Sequence, residues 1–367
     1  MNVCFVNSTR RWGGVKTWTL DAAARLQAMG HGVSIVCREG TFADASAARG
    51  LNVSARRFGL DYSPLMIAFF LHHFKMHGVQ VVVCNVGKDL RTAGVAARLA
   101  GLPVVHRVGL PRDMRDTLKV RLTHRFVRPR LLSPCEFIKN GMLAEVSFLA
   151  PEEITVIRTG KECAAAPPAP RDHDGPRRLV VTSQLNPDKG HADLLHALAA
   201  LAGEGLDYRL DVVGEGSSEH ALRELGRSLG IDDRLTFHGF QSNVRAFLER
   251  ADVFVLPSRS EGLPNTLLEA MAFGLLPVAR DVGGLREVWP TALAPFLADP
   301  KQGDSLRGDD LREPLRQALT CDPEKFAKHR LAAWRACREN FDLKTQSKRL
   351  ADWLSQLAGQ SAHKPKP

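Results

Sequence analysis

The chain has no hydrophobic run longer than the seven residues Leu65 to Leu71. A bilayer core needs about 20 apolar residues in a row, so no segment is expected to span a membrane, and no signal-peptide pattern precedes the first apolar strand. Cysteines are few and scattered, seven in all (4, 37, 84, 135, 163, 321 and 337), with no C-x-x-C pair. Neither a zinc site nor a disulfide framework is indicated, and a reduced, cytoplasmic setting is expected. A complete dinucleotide fingerprint is also missing. Gly214-Glu215-Gly216 follows a strand-like run, but Glu219 stands where the third glycine belongs and no acid is suitably placed downstream, which disfavours a dinucleotide site.

What is present suits two domains. A length of 367 residues exceeds one ordinary core and fits two of about 150 to 200 residues each. The charge is unevenly shared: residues 1–160 carry 22 Lys/Arg against 11 Asp/Glu, and the remainder carries 28 against 29. A basic half joined to a neutral one points to an anionic partner for the former: membrane lipid, a phosphorylated acceptor or nucleic acid. A solvated basic surface is the plainer alternative.

Both halves alternate short apolar runs with helical patterns, as a doubly wound parallel sheet does. In the first, strands are expected at 2–6, 33–37, 79–84, 103–108, 130–132 and 154–157, with helices at 63–77 and 88–100. Gly13-Gly14, between the first strand and its helix, lets backbone approach a ligand. Residues 107–130 read as a basic amphipathic helix, eight cations around Met114, Leu118, Leu122 and Phe126; contact with an anionic surface and a core helix with a solvated back fit equally. A Pro-rich linker, Ala164 to Pro170, leads to Asp172-His173-Asp174, a metal-holding spacing that carries little weight inside a linker. The second half repeats the alternation, with strands at 179–181, 208–213, 234–237 and 252–256 and helices at 191–202, 218–229 and 243–249.

The stretch Glu261 to Glu269, EGLPNTLLE, follows the buried run Val253 to Leu256 and opens a helix, with Pro264 expected in its first turn. The free N–H groups of Leu263, Asn265 and Thr266 would favour an anion there. Two carboxylates repel phosphate but suit sugar hydroxyls, so the combination points to a nucleotide sugar.

Glu261 and Glu269, with Ala270-Met271-Ala272, Gly274, Pro277-Val278-Ala279, Gly283-Gly284 and Glu287, resemble the signature of retaining family 4 (group 1) glycosyltransferases of lipopolysaccharide and polysaccharide synthesis. The likeness extends to Val156–Gly160, similar to that family's end-of-domain segment. It implies the GT-B fold: two facing Rossmann-like, doubly wound domains with a cleft between them. On this reading residues 1–160 form the acceptor-side domain, 161–177 the linker, 178–340 the nucleotide-sugar domain, 341–358 a helix crossing back to the first domain, and 359–367 a disordered tail.

The resemblance implies roles as well. Glu261 would bind sugar hydroxyls and Glu269 the ribose, while Lys189 and the amides from Leu263 through Thr266, Pro264 apart, hold the diphosphate, with Gly262 and Pro264 among the donor-binding residues. Gly13, Gly14, Gln184, Gly214 and Gly239 would line the donor. Ser183-Gln184 replaces the family's usual Gly-Arg, removing one cation. Many relatives place a His where this chain has Gly109; His106 or Asp113 could assist the acceptor hydroxyl instead. No cofactor or metal is implied, the partners being a nucleotide sugar, a glycan or lipid-linked acceptor and an anionic membrane surface, not nucleic acid. A non-catalytic nucleotide-sugar-binding protein and a nucleotide-sugar epimerase are the competing readings.

Overall fold

A computed structural model describes all residues except 11, 167–174, 242, 302–306 and 363–367; the Asp172-His173-Asp174 spacing and most of the Pro-rich linker lie outside the described residues. The chain divides into two units, Met1–Gly160 with the segment from Lys344, and Lys161–Leu343. Each is a wholly parallel sheet flanked by helices.

The first sheet consists of β1 (Asn2–Asn7), β2 (Gly32–Cys37), β3 (Asn52–Ala55), β4 (Val81–Cys84), β5 (Val104–Arg107), β6 (Arg130–Ser133) and β7 (Ile154–Val156), in the order β3-β2-β1-β4-β5-β6-β7. Its central strands are continuous apolar runs because helices cover both faces: Val81 to Cys84 are all buried. The helices are α1 (Gly14–Ala28), α2 (Thr41–Ala48), α3 (Pro64–Met76), α4 (Gly87–Asp89), α5 (Val95–Leu99), α6 (Leu118–Val127) and α7 (Glu136–Glu145). A π turn, Leu90–Gly94, joins α4 to α5, so the helix expected at 88–100 is one run with a bulge.

The helix expected across 107–130 is shorter. Arg107 ends β5, Pro111 opens a single 3-10 turn (Pro111–Asp113), and only Leu118–Val127 is α-helical. Met114 is buried outside the helix, whereas Leu118, Leu122 and Phe126 face solvent at 71%, 57% and 47% exposure. What α6 buries is Thr123, His124 and Val127.

The second sheet consists of β8 (Arg177–Thr182), β9 (Tyr208–Val213), β10 (Leu235–Phe237), β11 (Val253–Leu256), β12 (Leu276–Arg280) and β13 (Leu297–Ala298), in the order β10-β9-β8-β11-β12-β13. Its helices are α8 (His191–Gly203), α9 (Glu219–Ser228), α10 (Arg245–Arg250), α11 (Asn265–Ala272), α12 (Asp309–Thr320) and α13 (Pro323–Phe341). The last helix, α14 (Leu343–Ala362), buries Leu350, Ala351, Leu354 and Leu357 in the core of the first unit beside Phe5, Leu20 and Ile35. It continues past residue 358, so residues 359–362, assigned above to a disordered tail, are helical; the remaining five lie outside the described residues.

Four histidines are folded in. Burial pushes the pKa of His106 down to about 3, and those of His73, His124 and His191 to about 4, from 6.5. Each group then binds its proton only in the unfolded chain across that interval, so the unfolded state binds more protons and stability falls as pH drops from 6.5 toward 4. The urea midpoint should therefore decline on acidification through this window. His124→Phe should flatten the decline by about one proton; an unchanged slope would show that His124 is protonated in the folded chain.

Candidate functional site

In open α/β sheets ligands bind beyond the carboxyl ends of the strands, where the strand order reverses. In the second sheet that point lies between β8 and β11, and it is occupied by an ion pair. Lys189, in the turn after β8, donates from Nζ to Glu261 Oε1 at 2.7 Å, and Glu261 lies in the loop after β11. Two glycines make this approach possible. A Cβ on Gly190, at φ +68°, would lie 2.0 Å from the Pro257 carbonyl oxygen, and one on Gly283, at φ +66°, 2.2 Å from that of Glu261. Gly284 N–H then donates to Gly262 O at 2.7 Å and holds the loop.

Helix α11 starts one residue later than expected, with Pro264 as its N-cap. The N–H groups of Leu263, Asn265 and Thr266 meet no acceptor among the described residues, and the buried Asn265 Oδ1 meets no donor. Donors, helix dipole and a nearby Lys therefore converge at one strand mouth. Glu269, a turn further along, accepts from Lys161 Nζ at 2.6 Å. Both glutamates are thus held by a lysine at Oε1, with Oε2 unpartnered among the described residues. That geometry fixes a carboxylate while leaving an acceptor for a ligand hydroxyl.

Lys161 had no sequence signal, standing at the edge of an expected linker. It is buried, and it is anchored through its own backbone: its N–H donates to Phe341 O at 2.7 Å and its carbonyl accepts from Leu343 at 3.1 Å. Arg280 was missed too, although a charged residue closing an apolar strand must find partners. It is 1% exposed, donating from Nε and Nη2 to Asp310 at 2.6 and 2.9 Å, and from Nη1 to Asp193 at 2.6 Å and to the Pro257 carbonyl at 2.9 Å. Burial opposes its charge, but the hydrogen bonds to Asp310 and Asp193 outweigh it and raise its pKa.

Gln184, Gly214 and Gly239, expected above to line the donor, are brought together. Gly214 N–H donates to Gly239 O, and a Cβ on Gly214 would fall 1.9 Å from the Ser183 carbonyl. Gln184 is exposed, its Oε1 accepting from Asn186 Nδ2 at 3.1 Å.

The first unit has its own reversal point, between β1 and β4. Buried Asp89 bridges it, accepting from the N–H groups of Ser8, Asn85 and Val86. Gly13 caps α1 and Gly14 is its first residue. His106 is buried, its ring 5.6 Å from that of His124, and its Nδ1 has no hydrogen-bond partner among the described residues. Asp113 sits at the surface in the turn after β5, accepting from the N–H groups of Gly109 and Leu110 at 3.3 and 2.8 Å. Of these two candidates, Asp113 alone has solvent access.

Residues 166–322 match the family model described as "Glycosyl transferases group 1", so the chain is related to that family through its second unit. A Haemophilus influenzae protein described as an uncharacterized glycosyltransferase is 40% identical over 103 residues, 28% of this chain and 29% of that one. The putative colanic acid biosynthesis glycosyltransferase WcaL of Salmonella typhimurium is 26% identical over 254 residues, 66% of this chain and 60% of that one. This chain therefore spans less than two thirds of the length of either relative. The crystal structure of Anabaena Alr3699/HepE in complex with UDP-glucose superposes with a TM-score of 0.79 at 18% identity, covering 97% of this chain and 100% of that one. The fold is GT-B, two Rossmann-like parallel-sheet units.

Arg280 can be tested as the buttress of this edge. Arg280→Met leaves Asp310 buried with its charge uncompensated and Asp193 held by Arg259 alone, and should cost about 3 kcal/mol in urea unfolding. Adding Asp310→Leu should return part of that. A loss below about 1 kcal/mol in the single variant would mean that the cluster does not hold the edge.

Proposed function

We propose that this chain is a retaining glycosyltransferase that moves a sugar from a nucleotide-sugar donor to a glycan or glycolipid acceptor in cell-envelope polysaccharide or lipopolysaccharide synthesis. The observation that carries the reading is the Lys189–Glu261 pair beside the open amides of residues 263–266, at the reversal point of the second sheet. The group 1 match over the same unit supports it.

The chemistry follows from the placement. Lys189 and the amides take the diphosphate, whose negative charge grows as the sugar leaves; preorganised donors in a closed site lower that barrier by several kcal/mol. Glu261 Oε2 accepts from sugar hydroxyls and Glu269 Oε2 from the ribose. The C1–O bond to phosphate breaks as the bond from C1 to the acceptor oxygen forms on the same face, and the acceptor proton passes to the departing phosphate oxygen. The configuration is retained, and neither a protein nucleophile nor a metal is required. With Gln184 in place of a second cation, Lys189 bears most of the charge. Asp113 is the group in the first unit with access to an acceptor hydroxyl.

A second reading concerns location. Among the described residues no helix is long and apolar enough to cross a membrane. The stripe Leu118, Leu122 and Phe126, at one-turn spacing, is nevertheless exposed beside Arg125 and Arg128. A core helix would bury that stripe, so contact with the anionic inner face of a membrane is favoured.

Nucleotide release from a panel of nucleotide sugars, with and without acceptor glycans, tests the activity. Lys189→Ala should lower turnover by orders of magnitude and Glu269→Gln should weaken nucleotide binding modestly. Binding without release would favour a non-catalytic binding protein, and release unaffected by Lys189→Ala would remove that residue from the mechanism.

Sedimentation with vesicles tests the location. Each Lys/Arg at an anionic surface contributes about 1 kcal/mol, and screening shortens to about 3 Å at 1 M salt. Binding to anionic vesicles should be strong at low salt and weaker at high salt, and Leu118→Ser/Leu122→Ser/Arg125→Glu should abolish it. No binding at low salt would assign the basic face to a soluble acceptor.

A further inference from the structure

Arg107 was counted with the basic surface stripe, but it is 95% removed from solvent, its own exposure being 5%. As the last residue of β5 it stands at the carboxyl edge of the first sheet, one strand from the reversal point. Because side chains alternate along a strand, His106 turns toward His124 of α6 while Arg107 turns toward α1. Its guanidinium carbon lies 4.5 Å from the ring centroid of Trp18, itself 8% exposed. Trp18 belongs to the first turns of α1, the helix that Gly13 and Gly14 open.

This cation lacks what buried arginines have. Its Nη1 is buried with no hydrogen-bond partner, and no ion pair joins it to any described carboxylate. The comparison within the molecule is Arg280, equally buried but tied to two aspartates and a carbonyl. The nearest negative charge is Asp113, whose carboxylate is instead engaged by the Gly109 and Leu110 N–H groups of the covering turn. Burial lowers the pKa of Arg107 to about 10, with Asp113 opposing, so the group stays charged at neutral pH. An uncompensated buried charge is costly; the Trp18 ring offsets part of that cost, and no hydrogen bond or ion pair among the described residues adds to that offset. The turn above it is held by Asp113 through two backbone hydrogen bonds, each worth about 1 kcal/mol, and by Pro111 packed against Gly141 of α7.

We propose that Arg107 is an anion-recognition residue of the first unit, reading an oxyanion, the carboxylate or phosphate ester of an acidic sugar, on the acceptor. The guanidinium supplies paired N–H donors to two oxygens, Trp18 backs its other face, and the turn Gly109–Asp113 lifts to admit the anion. This rests on the glycosyltransferase reading for the word acceptor; the anion site itself does not.

The full chain is titrated with glucuronate, glucose 6-phosphate and neutral glucose at matched ionic strength, following thermal midpoint and tryptophan emission. An acidic sugar should raise the midpoint and change the emission while glucose does neither; response to glucuronate alone identifies a carboxylate, and to glucose 6-phosphate alone a phosphate. Trp18→Phe should lose the emission change, and Arg107→Met should weaken binding about tenfold or more. Arg107→Lys, which keeps the charge, should retain part of it. Without ligand, Arg107→Met should melt no lower than the parent, because an unpaired buried charge has been removed. Equal responses to glucose and the acidic sugars, no response to either anion, an unchanged response in Arg107→Met, or a marked fall in its unliganded midpoint would each overturn the proposal. Binding across the nucleotide-sugar panel, measured separately, should be untouched in Arg107→Met; its absence from the parent would remove the donor reading and leave the anion site standing.

Discussion

The second unit depends on one caged cation. Arg280 closes β12, and its guanidinium joins Asp193 on α8, Asp310 on α12 and the carbonyl of Pro257 just beyond β11. Asp193 also takes Arg259 in a two-point pair at 2.7 and 3.0 Å. Two helices and two strand ends are thereby fixed to one another at the carboxyl edge of the sheet. A buried pair of this kind adds little net stability over an apolar replacement but is expensive to break, so what it supplies is position. Pro257 O is the same atom against which Gly190 packs. The seat of Lys189 is thus set by a group that never needs to touch a ligand.

On that frame the two glutamates are arranged alike. Each carboxylate has one oxygen committed to a lysine and one without a partner among the described residues, which orients it at the cost of half its accepting capacity. On the proposed reading the lysines also mask two negative charges next to the place that would receive a diphosphate, which lessens the repulsion that would otherwise accompany a paired-carboxylate site. Their anchoring differs. Lys189 belongs to a single 3-10 turn, free to exchange Glu261 for phosphate, whereas Lys161 is buried and held by its own backbone against Phe341 and Leu343. On the proposed reading the first lysine would suit a group that moves with chemistry, and the second one that keeps a ribose contact in place.

Much of this was legible in the sequence because buried parallel strands are written as continuous apolar runs, and the glycines that bring Lys189 and Glu261 together are each required by a positive φ. What escaped detection did so for physical reasons. β3, with Asn52 and Ser54, is an edge strand with no apolar run, and β13 is two residues long. Lys161 is a single lysine in a tract without periodicity; only its distant partners give it meaning. Arg280 and Arg107 both close apolar strands, and a cation there cannot announce whether it is caged or orphaned. The stretch 107–130 misled because a spacing of four also arises across a strand end, a 3-10 turn and a short helix, and Pro111 was the sign against one continuous helix.

Helix α6 shows how composition becomes information once burial is known. Apolar residues at one-turn spacing ordinarily mark the inward face, yet here Thr123, His124 and Val127 face in while Leu118, Leu122 and Phe126 face out. Two of its flanking cations, Lys119 and Arg121, are already engaged by Asp61 and Asp116, so the positive potential of this face rests on fewer charges than the sequence count implies. An apolar stripe with a reduced basic rim depends more on burying its side chains than on long-range attraction, and such a surface loses little affinity when a single charge is changed but much when Leu122 is. Selectivity for the anionic acceptor proposed above would then come from somewhere more enclosed than α6, and Arg107, buried without a hydrogen bond or ion pair among the described residues of the first unit, is such a place.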